Sequence, residues 1–180
     1  MRPPRTLAVA ALAAVLAACA SDTRACLDVP LSTAAQATLT EEAEAGRIDF
    51  APVLPCARGR GYLVTSVTGD SLPGAPPYRR LNYVVERRGV RVYVLSETRA
   101  PVTSTQIPQG TRRLRVTSGE ATAEGFVGAS GSGGEMAYLR WRAAGITYEF
   151  DATLGPAFSE ADARTVAAAL LARTTARDGR

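Results

Sequence analysis

The chain contains no lysine and no histidine; all 21 of its basic residues are arginine, against 17 acidic residues in a length of 180. Without histidine, neither a Ser-His-Asp triad nor a His-bearing zinc site can be assembled from it. Without lysine there is no Walker lysine, no Schiff base and no Ser-Lys dyad. The arginine bias is as consistent with a GC-rich genome as with a demand of function. Cysteine is limited to three residues, none in a Cys-x-x-Cys spacing, which withholds the usual redox motif. There is no Gly-x-Ser-x-Gly elbow, because Ser130 stands in Gly-Ala-Ser-Gly-Ser. The glycine-rich stretch 128–134 is followed by no Lys-Ser/Thr pair, so it is expected to be a flexible link between hairpins rather than a phosphate cradle. The apolar run over residues 7–18 is too short to span a membrane.

That run has a different meaning. Arg2 and Arg5 precede it as a positive n-region, the run itself lacks charge and helix breakers, and it ends in Leu16-Ala17-Ala18-Cys19. Charged start, apolar run and terminal tetrapeptide together resemble the lipobox of bacterial lipoproteins. The resemblance covers the first nineteen residues. It implies diacylation of Cys19, cleavage before it and acylation of the new amino group. One chain holds a protein marginally and two or more hold it stably, at about 0.8 kcal/mol per buried methylene. Ala20, where lipoproteins retained in the inner membrane often carry Asp, implies the outer membrane in an organism that has one. The alternative is an ordinary secreted protein with a cysteine at its cleavage site. Residues 1–18 are thus expected to be a signal peptide and 19–25 a lipidated tether. Loss of Arg2 and Arg5 takes the formal charge from +4 to +2, which is no nucleic-acid footprint.

With Cys19 consumed by lipid, Cys26 and Cys56 remain as a pair in an oxidising compartment, and a structural disulfide is expected. Closing a loop of about 30 residues is worth about 3–4 kcal/mol in the chain-entropy view. Two free thiols or a redox pair are the other readings. Residues 32–45, rich in Ala, Glu, Gln and Thr, predict a helix stopped at Gly46; a shorter helix capped by Thr40 fits as well. Residues 26–60 therefore read as an N-terminal helical arm.

From Gly61 to about Ala152 the apolar residues alternate, and a first strand is expected over 61–68. Three two-residue turns then give registers in which apolar meets apolar and acid meets base. Around Arg88-Gly89, Val85 faces Val92, Tyr83 faces Val94, Glu86 faces Arg91 and Arg80 faces Glu97. Around Gly119-Glu120, Val116 faces Ala123 and Arg115 faces Glu124. Around Ala144-Gly145, Trp141 faces Tyr148, Leu139 faces Phe150 and Arg140 faces Glu149. Ser159 caps a final helix whose stripe Ala163, Val166, Ala167, Leu170 and Leu171 should cover the Trp141, Tyr148 and Phe150 face. The expectation is an α+β protein with an antiparallel meander of about seven strands packed against a C-terminal helix. The sheet-plus-helix domain would occupy 61–172, with a frayed tail over 173–180.

The order Pro52-Val53-Leu54-Pro55, Gly61-Tyr62, Leu139-Arg140-Trp141-Arg142, Gly145-Ile146-Thr147-Tyr148 and a terminal helix opened by Ser-Glu resembles a bacterial extracytoplasmic domain family. That family is similar to the C-terminal domain of the sigma-E regulator RseB. The resemblance implies a sensor or protein-contact domain without catalytic residues; the chain departs from it in lacking the large lipid-binding half of that regulator, so lipid sensing of that kind is not implied.

Among candidate sites, Arg112, Arg113, Arg115, Arg140 and Arg142 are the cluster suited to recognition, since guanidinium forks match carboxylate or phosphate; the alternative is plain surface work in place of lysine. Glu149 and Asp151 share a strand face and could act as paired carboxylates, but Arg140 and Arg142 on the predicted neighbour favour an ion-paired face. No metal and no cofactor is expected. The function expected is that of a membrane-anchored, non-catalytic binding or regulatory module of the cell envelope. Its partners would be the membrane, through the anchor, and an envelope protein, with no nucleic acid. A carrier or chaperone for a lipid or hydrophobic peptide is the second reading.

Overall fold

The computed structural model describes residues 26–74, 77–101, 107–131 and 133–176; Cys19 and the expected signal and tether lie outside them. The described residues form an α+β fold, with a seven-stranded antiparallel sheet, a two-stranded sheet and two helices. The small sheet is β1 (Leu27–Asp28) against β2 (Cys56–Ala57), and between them lies α1 (Thr33–Glu44). The large sheet is built from β3 (Tyr62–Leu72), β4 (Tyr78–Arg87), β5 (Val90–Thr98), β6 (Arg112–Ser118), β7 (Ala121–Ala129), β8 (Glu135–Ala143) and β9 (Ile146–Leu154). Helix α2 (Glu160–Thr175) follows β9.

The strand order is β3-β4-β5-β9-β8-β7-β6, so the expected continuous meander is broken at one junction. After β5 the chain crosses to the far edge and works back, setting β9 beside β5 in the middle of the sheet. Hairpin pairing is local and readable from turns, whereas the β5–β9 pairing joins two hairpin sets by a non-local contact that no turn specifies.

The second and third hairpins have the expected registers, Val116 opposite Ala123 and Trp141 opposite Tyr148. The first needs correction. Glu86 does face Arg91, but a bulge between Val85 and Glu86 then shifts the partners, so that Val85 faces Tyr93, Tyr83 faces Leu95 and Arg80 faces Thr98 rather than Glu97. An inserted residue is invisible to pattern matching because each side of it still alternates. The turn itself is as expected from its residues: Arg88 and Gly89 both take positive φ, as do Ala144 and Gly145, the requirement of a type I′ turn. The 128–134 link is shorter than expected, since β7 runs to Ala129 and Ser130 N–H donates to Gly134 O at 2.7 Å.

One face of the sheet is the core. Tyr83, Leu95, Phe150, Leu139 and Leu114 are fully buried there, and Tyr93 sits against Phe150 and Phe158 with ring centres 5.0 and 5.8 Å apart. Helix α2 covers β6 to β9. Its start is a capping box: Ser159 Oγ accepts from Asp162 N–H, and Asp162 Oδ2 accepts from Ser159 N–H at 2.9 Å. Its buried stripe is the expected one, extended by Thr174, and the helix continues to Thr175, three residues beyond the expected end.

The arm covers the rest of that face. Ser32 caps α1, and Glu42 near its end is buried between Arg79 (2.6 Å) and Arg47 (3.2 Å). The shorter helix capped by Thr40 is not formed. Cys26 and Cys56 are bonded, and beside them Val29 N–H donates to Pro55 O at 2.9 Å. Arg173 of α2 pairs with Asp28 and donates to the carbonyl of Cys26, so disulfide, arm and terminal helix meet at one place.

Candidate functional site

Among the described residues no helix packs on the second face of the sheet, and alternation and register line its side chains into rows. One row crosses all seven strands: Arg115, Glu124, Arg140, Glu149, Ser96, Asn82 and Thr68 are successive cross-strand partners. At its centre Arg140 binds Glu149 Oε1 through Nη2 (2.5 Å) and Nε (2.9 Å), and Tyr138 donates its hydroxyl to the same oxygen at 3.0 Å. Both members of that ion pair are only about one-fifth exposed. The row continues with Ser96 Oγ to Asn82 Oδ1 at 2.8 Å, and Asn82 Nδ2 to Asp70 Oδ2 at 2.8 Å. Arg115 and Glu124 end it loosely, 3.8 Å apart and mostly in solvent.

A second row carries Arg113, Phe126, Tyr138, Asp151 and Val94. Phe126 stacks on Tyr138 at 5.4 Å, and the Arg140 guanidinium lies 5.6 Å from the Tyr138 ring centre. Burial first, and the Glu149 carboxylate second, push the Tyr138 hydroxyl up, so it is a neutral donor. Burial opposes the Arg140 charge, but Tyr138 and Glu149 outweigh it and hold its pKa above the ordinary value. Asp151 is raised by burial, with Arg91 pulling it down and Glu149 adding to the rise.

Of the five candidate arginines, four reach this face. Arg113, Arg115 and Arg142 are exposed and Arg140 is tied to Glu149. Arg112 is on the other side of β6, bound to Glu160 of α2 at 2.5 Å, because alternation sends neighbours 112 and 113 to opposite faces. Glu149 and Asp151 do share the face, but the cleft beside them is lined by Glu149 and not by Asp151. That cleft, of about 150 Å³, lies over Thr98 and Thr147 between Arg80 and Arg140. A second cleft, of about 140 Å³, lies between Tyr62 and the first turns of α2.

Sequence reasoning missed two residues. Arg80, freed from Glu97 by the bulge, binds Asp70 at 3.0 Å and lines the larger cleft, with its Nε buried and unbonded. Glu97 turns into the core, wholly buried, and accepts the Val53 amide on both oxygens. A one-residue shift exchanges faces, so the bulge that moved the register was the signal needed.

Among the described residues no three His, Cys, Asp or Glu side chains gather as metal ligands, and no helix is long and apolar enough to cross a membrane. No protein-family model, no curated protein and no solved structure matches this chain.

Proposed function

We propose that this protein is an envelope lipoprotein, anchored through Cys19, that acts as a non-catalytic binding module and meets a protein partner with the helix-free face of its sheet. One observation carries the reading. The core face is fully used by α2 and the disulfide-bonded arm, while the opposite face holds a continuous row of arginine, carboxylate, amide and hydroxyl side chains across seven strands, flanked by Phe126 and Tyr138. Half-buried arginine and aromatic side chains on a rigid sheet are the usual anchors of a protein interface. The anchor supports the same reading, because a tethered module meets its partner at high local concentration.

A carrier would hold its cargo in a large apolar cavity. Phe150, Leu139, Leu170 and Leu171 are instead packed with no exposure, and both clefts have charged residues in their walls. The resemblance to the RseB-like family points the same way, toward contact with an envelope protein.

The test is crosslinking in intact cells with the native anchor kept, read by mass spectrometry, beside metabolic labelling with palmitate. The expected outcome is label on the protein that vanishes in Cys19→Ala, and one reproducible protein crosslinked through the helix-free face. Lipid recovered without protein would establish the carrier reading instead, and an unlabelled protein would refute the anchor.

A further inference from the structure

The chain closes one edge of its own sheet. Along β3, Val64 N–H donates to Pro30 O and Ser32 N–H to Val64 O, both at 2.9 Å, and α1 packs alongside. The other edge is β6, whose outer backbone receives no such segment among the described residues. In a two-residue hairpin the residues beside the turn exchange both backbone bonds, and bonded pairs alternate from there. Ser118 and Ala121 flank the turn, so Ser118, Val116, Leu114 and Arg112 bond to β7, while Thr117, Arg115 and Arg113 direct N–H and C=O outward. Arg164 of α2 donates to Arg115 O at 3.2 Å, which agrees with that direction and is a side-chain bond that an added strand would displace.

An open edge is a template for another strand, and its side chains decide which strand. A second copy pairing antiparallel about Arg113, Leu114 or Arg115 would set arginine opposite arginine, and like charges directly opposite are destabilising. In these three registers the edge disfavours its own kind. It admits the opposite charge: Arg112, Arg113, Arg115 and Arg164 lie on or beside it, against Glu124 and Glu160. We propose that β6 is the docking edge for an acidic extended segment of the partner protein, which adds to the sheet as an eighth strand with carboxylates against Arg113 and Arg115. The proposal deepens the binding reading above and rests on it.

The test uses the full lipidated chain in detergent micelles and three synthetic heptapeptides, TEVEVET, TKVKVKT, and TEVEVET N-methylated at alternate residues. TEVEVET should bind saturably and slow amide exchange at Arg113, Arg115 and Thr117 by at least about tenfold, the mark of new backbone bonds rather than charge alone. The double substitution Arg113→Glu with Arg115→Glu should lose TEVEVET and gain TKVKVKT with the same amide protection at residues 113, 115 and 117, a reversal that an unfolded variant cannot produce. Unchanged exchange at saturation, or equal binding of the basic or N-methylated peptide to the native chain, overturns the proposal. In cells, photocrosslinkers at Thr117 and at Arg142 separate it from the reading beneath it. Capture through an acidic segment at Thr117 supports both. Capture at Arg142 without Thr117 overturns the edge alone, and capture at neither overturns both.

Discussion

The indole N–H of Trp141 donates to the hydroxyl of Thr174 at 2.9 Å, joining the end of β8 to the last turn of α2. The ring also stacks on Tyr148, with centres 5.4 Å apart and planes within 13°. Trp141→Ala is therefore expected to cost about 3–5 kcal/mol, as a core aromatic replaced by a void. Trp141→Phe should cost less, because Thr174 Oγ still bonds the carbonyl of Leu171. Urea unfolding followed by circular dichroism measures both; a loss below about 1 kcal/mol for the alanine variant would contradict the packing of α2 on this face.

Glu97 holds the arm to the sheet. Its two carboxylate oxygens lie 3.0 and 3.1 Å from the amide of Val53, three residues before the disulfide-bonded Cys56. Glu97→Ala strands that amide in the core, at a cost of about 1–3 kcal/mol. Hydrogen exchange should quicken at Val53 and in β2 before it does in β8. Uniform quickening would mean that the arm and sheet open together.

Two carboxylates should respond to pH in opposite senses. Asp151 is raised above 3.8 in the folded chain, so its ionisation at neutral pH works against folding, and the penalty is absent below about pH 4. Asp151→Asn should raise the urea midpoint at pH 7 and lose that advantage near pH 3. Glu42 is lowered below 4.5, chiefly by its hydrogen bonds from Arg79, so its contribution is present above that value and disappears as pH falls through the folded pKa. Glu42→Gln should be destabilising at pH 7 and approach neutrality in acid. Equal pH dependence in the two variants would refute both assignments.

Gly125 of β7 packs directly against the backbone of β8. A Cβ placed there would come 1.8 Å from the carbonyl oxygen of Tyr138. Gly125→Ala must push two strands apart, and we expect a chain that fails to reach the native circular dichroism spectrum or unfolds at much lower urea. Gly131→Ala, at a position with nothing within 4 Å, is the control and should leave the midpoint within about 0.5 kcal/mol of the original.

Local signals were enough for several elements. Ser159 with Asp162 marked the start of α2, its stripe from Ala163 to Leu171 marked the buried side, and two hairpins were in register from their turn residues and from the matching of apolar and charged partners. These features depend on neighbours within a few residues. Less was legible of the candidate site. That Arg140 meets Glu149 followed from one turn, but that Ser96, Asn82 and Thr68 extend the same row required β9 to lie beside β5. Arg80 and Glu97 were assigned to each other, and the bulge at Val85 parted them, one to a cleft and one to the core.

The amino-acid sequence by itself determined the α+β class, the seven strands, both helices and the residue pairs within two hairpins, because turn chemistry and periodicity act over short separations. The same reading pointed to the Cys26–Cys56 pairing by leaving no other partner. Only the tertiary structure decided that β9 is central and β6 an edge, that Arg112 faces α2 while Arg113 faces outward, and that Glu97 is buried. Those outcomes turn on pairings between strands far apart in the chain, whose free energy comes from burying the core face of a completed sheet and is encoded in no single segment.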